Sequence, residues 1–171
     1  GKDGTLLHTL SHQDTVHRVV FSPTGDRIIT SSLDGTLQVW SLNGQKLLHL
    51  QAHEQPIWGV AVSPDGRFMA SASGDRTIKL WRADGTPVAT LPVTNTAWSV
   101  AFSPDGTQIA GAILDGTLQR WTLEGEPLST IQAHQAEVWD LAYCGQSNRL
   151  VSVSSDRTIK VWDSDGALLQ T

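Results

Sequence analysis

Three times along the chain a histidine, a hydroxyl and an aspartate recur in that order: His12, Thr30 and Asp34; His53, Ser71 and Asp75; His134, Ser152 and Asp156. These are the residue types of a hydrolase triad, in which an imidazole takes the proton of an attacking hydroxyl and a carboxylate orients the ring. A nucleophile needs one exposed site, yet this set comes three times over, each with a tryptophan six residues after the aspartate: Trp40, Trp81 and Trp162. Repetition argues for a structural role and against catalysis. In a fourth stretch Val93 stands where the histidine is expected and Gly111 where the hydroxyl is expected, while Asp115 and Trp121 remain. Two partners have gone together, as in a mutually dependent network, since half a buried network is worse than none.

The elements that position these residues follow from the tryptophan spacings of 41, 40 and 41 residues, from Trp40 through Trp81 and Trp121 to Trp162. A period near forty in strand-type sequence marks a repeat architecture. Each unit opens with a Gly turn and a short alternating segment, the turns being Asp3-Gly4, Asn43-Gly44, Asp84-Gly85, Glu124-Gly125 and Asp165-Gly166. Most suit two-residue hairpins with positive φ at the central residues. An apolar strand follows, from Val16, Ile57, Ala97 or Val138; three of the four close on Ser-Pro-Asp/Thr-Gly at Ser22, Ser63 and Ser103, where Pro presets one turn residue and Gly accepts positive φ. The fourth reads CGQSN from Cys144, which suggests a longer turn. A third strand, an Asp turn and the Trp-bearing strand complete the unit. Four short antiparallel strands per unit without a helical period describe one blade of a propeller.

The 171 residues therefore form four small modules at about 3–42, 43–83, 84–123 and 124–163, with 164–171 beginning an outer strand, all within one unit spanning 1–171. None buries its apolar faces alone, so stability comes from stacking. A net charge of −5, with Lys and Arg dispersed, provides no basic stripe and argues against nucleic acid as a partner. The single cysteine, Cys144, excludes an internal disulfide and a cysteine zinc cage, and reads as a small buried hydrophobe. No run approaches the roughly 20 apolar residues that cross a membrane, and no basic-then-apolar leader opens the sequence. No membrane contact and a cytoplasmic location are the expectations.

With these motifs in register, the chain resembles the WD40-repeat family of β-propellers over its full length. His12, His53 and His134 stand where that family carries Gly-His, without the Gly, and only Trp162-Asp163 gives the full Trp-Asp dipeptide. The resemblance implies an all-β fold of four blades, each a four-stranded antiparallel sheet. It also implies a buried chain in which Asp accepts from His, His pairs with the hydroxyl, and the hydroxyl accepts from the indole N–H. Neither a catalytic residue, a cofactor nor a metal is implied. The segment after each Trp becomes the outer strand of the blade just built, which leaves residues 5–10 as an outer strand without a blade of their own.

Function is expected at the second position of each inner strand, occupied by His17, Trp58, Trp98 and Trp139, which the resemblance places at the rim of the central channel. Leu33 and Leu114, before their Asp turns, reach the same face. Trp is enriched in binding hot spots; the alternative is that these indoles pack against neighbouring loops. The expected function is a non-enzymatic protein-interaction scaffold. A small-ligand or sugar-binding propeller, or a fragment of a larger array with only a structural role, is the alternative. LDGTLQ from Leu33 and from Leu114, and DRTIK from Asp75 and from Asp156, both recur at 81 residues, so the copied element is a pair of blades. Four blades leave two apolar faces open, and a homodimer closing an eight-bladed ring would cover both.

Overall fold

The computed structural model describes residues 4–145 and 147–171. Among these residues sixteen strands build four antiparallel sheets, each in simple meander order. The first blade holds β1 (Val16–Phe21), β2 (Arg27–Ser32), β3 (Thr36–Ser41) and β4 (Lys46–Gln51). The second holds β5 (Ile57–Val62), β6 (Phe68–Ser73), β7 (Thr77–Arg82) and β8 (Pro87–Pro92). The third holds β9 (Ala97–Phe102), β10 (Gln108–Ile113), β11 (Thr117–Thr122) and β12 (Pro127–Gln132). The fourth holds β13 (Val138–Tyr143), β14 (Leu150–Ser154), β15 (Ile159–Trp162) and β16 (Leu168–Gln170). Every periodic Trp lies on the third strand of its blade, and the segment after it returns as that blade's outer strand.

Stacking of blades makes the core. Aliphatic residues on facing strands fill three seams: Leu37 with Ile57 and Met69, Leu80 with Val100 and Ile109, and Leu118 with Val138 and Leu141. Inner strands β1, β5, β9 and β13 lie side by side in that order. Their backbones approach closely at Gly59, where an added Cβ would come within 2.9 Å of Ser99 Cα. Polar contacts cross the inner strands too: Ser99 Oγ donates to Asp140 Oδ1 at 2.6 Å, and Arg18 reaches the other oxygen of Asp140 at 3.5 Å.

The stack is not closed into a ring, and its two end faces are apolar. Val19 on β1 is 60% exposed where its counterpart Val60 is 7% exposed. At the other end Ile159 on β15 is 61% exposed where Ile78 is fully buried. Strand β16 pairs with only the last part of β15, through Val161↔Gln170 and Trp162↔Leu168.

Local geometry departs from expectation in four places. The Asn43-Gly44, Asp84-Gly85, Glu124-Gly125 and Asp165-Gly166 turns place only the glycine at positive φ. Each is a type I turn closed by a left-handed residue, as where Gly44 N–H donates to Ser41 O and Ser41 N–H to Gln45 O, a three-residue hairpin loop instead of a two-residue one. Asp3 of the remaining turn lies outside the described residues. The CGQSN turn, whose Gln146 is likewise not described, has the same span as the others: Cys144 N–H donates to Arg149 O as Ser103 N–H does to Gln108 O. Cys144 is exposed just past the end of β13 and is not a core residue. Finally, residues 5–10 adopt no strand. The outer position beside β15 is held by β16, so the segment instead lies along the first blade, where Leu6, Leu7 and Leu10 line a cavity of about 550 Å³ with Phe21, Ile28 and Leu42.

Candidate functional site: a bulged aromatic row above buried polar networks

In the second and fourth blades the polar residues form one continuous chain. Trp81 Nε1–H donates to Ser71 Oγ at 3.0 Å, Ser71 Oγ meets His53 Nε2 at 2.7 Å, and His53 Nδ1 meets Asp75 Oδ2 at 2.8 Å. Trp162, Ser152, His134 and Asp156 repeat the arrangement at 2.9, 2.8 and 2.8 Å. An acceptor-only carboxylate at Nδ1 sets the tautomer: Nδ1 carries the proton, and Nε2 accepts from the hydroxyl. Burial lowers the pKa of His53 although Asp75 opposes it. Asp75 is also lowered: burial acts to raise it, but hydrogen bonds from Thr77 and His53 prevail. Ser71 and Ser152 are fully buried with both sides of the hydroxyl engaged, an arrangement that presents no nucleophile to a substrate.

The other two blades differ in instructive ways. His12 Nε2 meets Thr30 Oγ1 at 2.7 Å and Trp40 Nε1–H donates to the same hydroxyl at 3.0 Å, but the ring does not reach Asp34. Nδ1 instead lies 3.1 Å from Gln38 Nε2 and 3.3 Å from Thr36 Oγ1. Asp34 holds Thr36 through its backbone and hydroxyl, leaving Oδ2 without a hydrogen-bond partner among the described residues. In the third blade Val93 packs against the core, and the space above Gly111 is taken by Ile78 Cδ1, 2.3 Å from where a Cβ would sit. Asp115 there accepts from Thr94 and Thr117, so Thr94 replaces the missing imidazole as donor.

Sequence reasoning missed the residues that clamp these networks. Thr36, Thr77, Thr117 and Thr158 each donate backbone and hydroxyl to the turn Asp two residues before. Lys79 and Lys160 cap the carbonyls of Ala52 and Ala133 at 2.8 and 2.7 Å. Gln51 and Gln132 donate to the carbonyls of His53 and His134, tying the histidine loop to the outer strand. The recurring Asp-x-Thr spacing and the repeated Gln-Ala-His were the available signals.

Above the networks lie the proposed contact residues. Each inner strand is bulged at its second position: Val16 pairs with Ser32 and Arg18 with Ser31, leaving His17 opposite no residue, and the same shift isolates Trp58, Trp98 and Trp139. A bulge re-aims one side chain out of the ladder. Here the four rings meet. Trp58 and Trp98 stack at 4.4 Å between centroids with planes 12° apart, Trp139 stands edge-on to Trp98 at 4.8 Å, and His17 edge-on to Trp58 at 5.1 Å. His17 Nδ1 also lies 2.8 Å from Trp58 O, and Trp139 Nε1–H donates to Ser155 Oγ at 2.5 Å. Trp139 is 39% exposed, while Trp58, Trp98, Leu33 and Leu114 are half-buried. The rings are thus one row crossing the blades, not separate anchors spaced around a rim.

Among the described residues no group of three His, Cys, Asp or Glu side chains is gathered to hold a metal. Among the same residues no helix is long and apolar enough to cross a membrane. Compared with known proteins, the chain matches over residues 1–171 the model of the family described as the IFT122 first beta-propeller. No curated protein matches it.

Proposed function

The chain belongs to the IFT122 first beta-propeller family, and from that premise we propose that it is a non-enzymatic protein-interaction platform whose partner docks on the row of bulged aromatic rings. The observation that carries this reading is the row the bulges make: four bulges turn three indoles and an imidazole out of the ladder and away from the polar networks, into one aromatic surface whose outer member, Trp139, is 39% exposed. Indole supplies a rigid apolar face at low entropic cost with one donor at its rim. A propeller with separate sugar or small-ligand pockets would present equivalent, independent sites, and rings stacked on one another do not.

The test uses peptides selected from a displayed library against the folded chain. Trp139→Ala and Trp98→Ala weaken the selected peptide by about 2 kcal/mol or more while shifting the thermal midpoint much less. Equal affinity in both variants removes the row from the site.

Assembly belongs to the same reading. A second copy stacking its first blade on this chain's fourth, and the reverse, covers both end faces and completes an eight-bladed ring. Support comes from the exposure of Val19 and Ile159 at positions buried inside the stack. A cytoplasmic location fits the exposed free thiol of Cys144, and is checked by imaging the tagged chain.

A further inference from the structure

The seam between the third and fourth blades is polar at three positions where the first two blades are apolar. The residue before the periodic Trp is Val39, Leu80 or Val161 elsewhere, and Arg120 here. Its cross-strand partner is Leu48 or Ala89 in the first two blades and Ser129 here. The last residue of the inner strand is Phe21, Val62 or Phe102 in the first three blades and Tyr143 in the fourth. All three line one cavity of about 320 Å³ between the two blades, together with Gln108, Asn148 and Asp165. That volume falls at the small end of ligand pockets, which run from about 300 to 1,000 Å³.

Several donors around this cavity are unspent. Arg120 is only 9% exposed, and its Nη2 donates to Gln108 Oε1 at 2.7 Å. Arg120 Nε, Ser129 Oγ and Tyr143 Oη are buried and make no hydrogen bond of good geometry among the described residues, Tyr143 Oη lying beside the Arg120 guanidinium, and no carboxylate there lies within ion-pair distance of the guanidinium. A buried guanidinium without a counter-ion is costly where an aliphatic side chain fills the same place in three sister blades. We propose that this seam is a binding pocket for a single carboxylate, taken between the Arg120 guanidinium and the hydroxyls of Ser129 and Tyr143. The planar fork of Arg matches a carboxylate. Burial raises the pKa of Tyr143, Arg120 beside it works the other way, and Asp105 adds to the rise; with Asp165 also lining the cavity, a phosphate dianion meets more repulsion than a monoanion does. The pocket opens near the Ser103 and Ser164 turns, at the end of the strands opposite the aromatic row, and is a separate site.

A carboxylate can arrive as a free acid or as a Glu side chain of a partner, and two probes distinguish them. Sodium propionate and the blocked tripeptide acetyl-Gly-Glu-Gly-amide are titrated into ¹⁵N-labelled chain while the Arg120 Nε–H resonance is followed, with inorganic phosphate as comparison. Saturable shifts are expected from propionate if the ligand is a free acid, and from the tripeptide alone if it is a side chain; either supports the pocket. Tyr143→Phe is expected to weaken the binding probe about tenfold, the loss of one hydrogen bond to a charged group. Arg120→Leu, which installs the residue of the second blade, is expected to abolish binding and to remain folded with an equal or higher thermal midpoint. Two results overturn the proposal: no saturable shift from either probe in the folded chain, or phosphate binding tighter than both.

Discussion

An imidazole held between a carboxylate and a hydroxyl contributes two hydrogen bonds to the fold, and it does so only while it carries one proton. Removing the ring leaves Ser71 and Asp75 facing a gap, so His53→Ala is expected to lower stability by about 1–3 kcal/mol, measured by urea unfolding. Val93→Ala at the matching position of the third blade strands no polar group and costs only a little packing. Gly111 cannot simply regain the hydroxyl: Ile78 Cδ1 occupies the place of a Cβ, and Gly111→Ala is expected to cost about 1–3 kcal/mol through overpacking. Acid acts on the same chains. His12 and His53 hold folded pKa values below the ordinary 6.5, chiefly because burial disfavours the cation. Between 6.5 and those lowered values the unfolded chain takes up protons that the folded chain refuses, so stability falls as pH drops through that window. Asp75 and Asp65 are held below 3.8, Asp65 at about 2 through the Ser63 hydroxyl and the Arg67 amide. Their contribution is present above 3.8 and is lost as pH falls toward the folded values. A thermal midpoint flat from pH 7.5 to 5 would mean that the two imidazoles are not buried as neutral rings.

The tight turn after each aspartate demands a left-handed residue, and alternate blades meet that demand differently. Gly35 and Gly116 supply it in the first and third, at φ 79° and 90°, whereas Arg76 and Arg157 are forced there in the second and fourth, at 64° and 70°. A Cβ on Gly35 would come within 2.3 Å of His53 O, which shuts out any side chain. Arg76 is exposed, so Arg76→Gly is expected to gain about 0.5–1 kcal/mol by relieving the strain, and Gly35→Ala to lose more than that; paired thermal melts decide both. Such turns were legible in residue order because a hairpin is closed by neighbours: Asp-Gly, Ser-Pro-Asp-Gly and the recurring Trp announce themselves within a few positions. The bulges were not. His17 and Trp98 read as ordinary second positions of a strand, and only the pairing of each strand with its neighbour shows that they are extra residues. Stacking of Trp58 on Trp98 was hidden for a similar reason, since it depends on how two blades 40 residues apart in sequence come to lie. Arg120 looked like one more dispersed cation until its seam was seen.

Across the whole molecule the energetics are those of a short one-dimensional stack, with three seams made and two faces left over. Covering those faces buries an area in the obligate class, roughly 2,000 Å² or more. The expected mass by light scattering at micromolar concentration is twice that of one chain, and a monomeric mass would mean that other blades, or none, cover the ends. If the dimer forms, the thermal midpoint rises with protein concentration, because subunits stabilise one another by mass action. Val19→Glu on the first blade should lower the dimer fraction without unfolding the chain, since its side chain projects from the open face. The two end faces are also unlike: one is the entry side of an inner strand, the other the flank of β15 with its short outer edge. Such a pair is complementary to each other and not to itself, so every added copy offers the next one the same unoccupied surface. Growth therefore stops only when the angle between copies happens to bring the last face back to the first. Should a substitution at a seam change that angle by even a fraction of a blade, the same contacts would propagate without limit, and the product would be a helical filament whose turbidity rises with concentration.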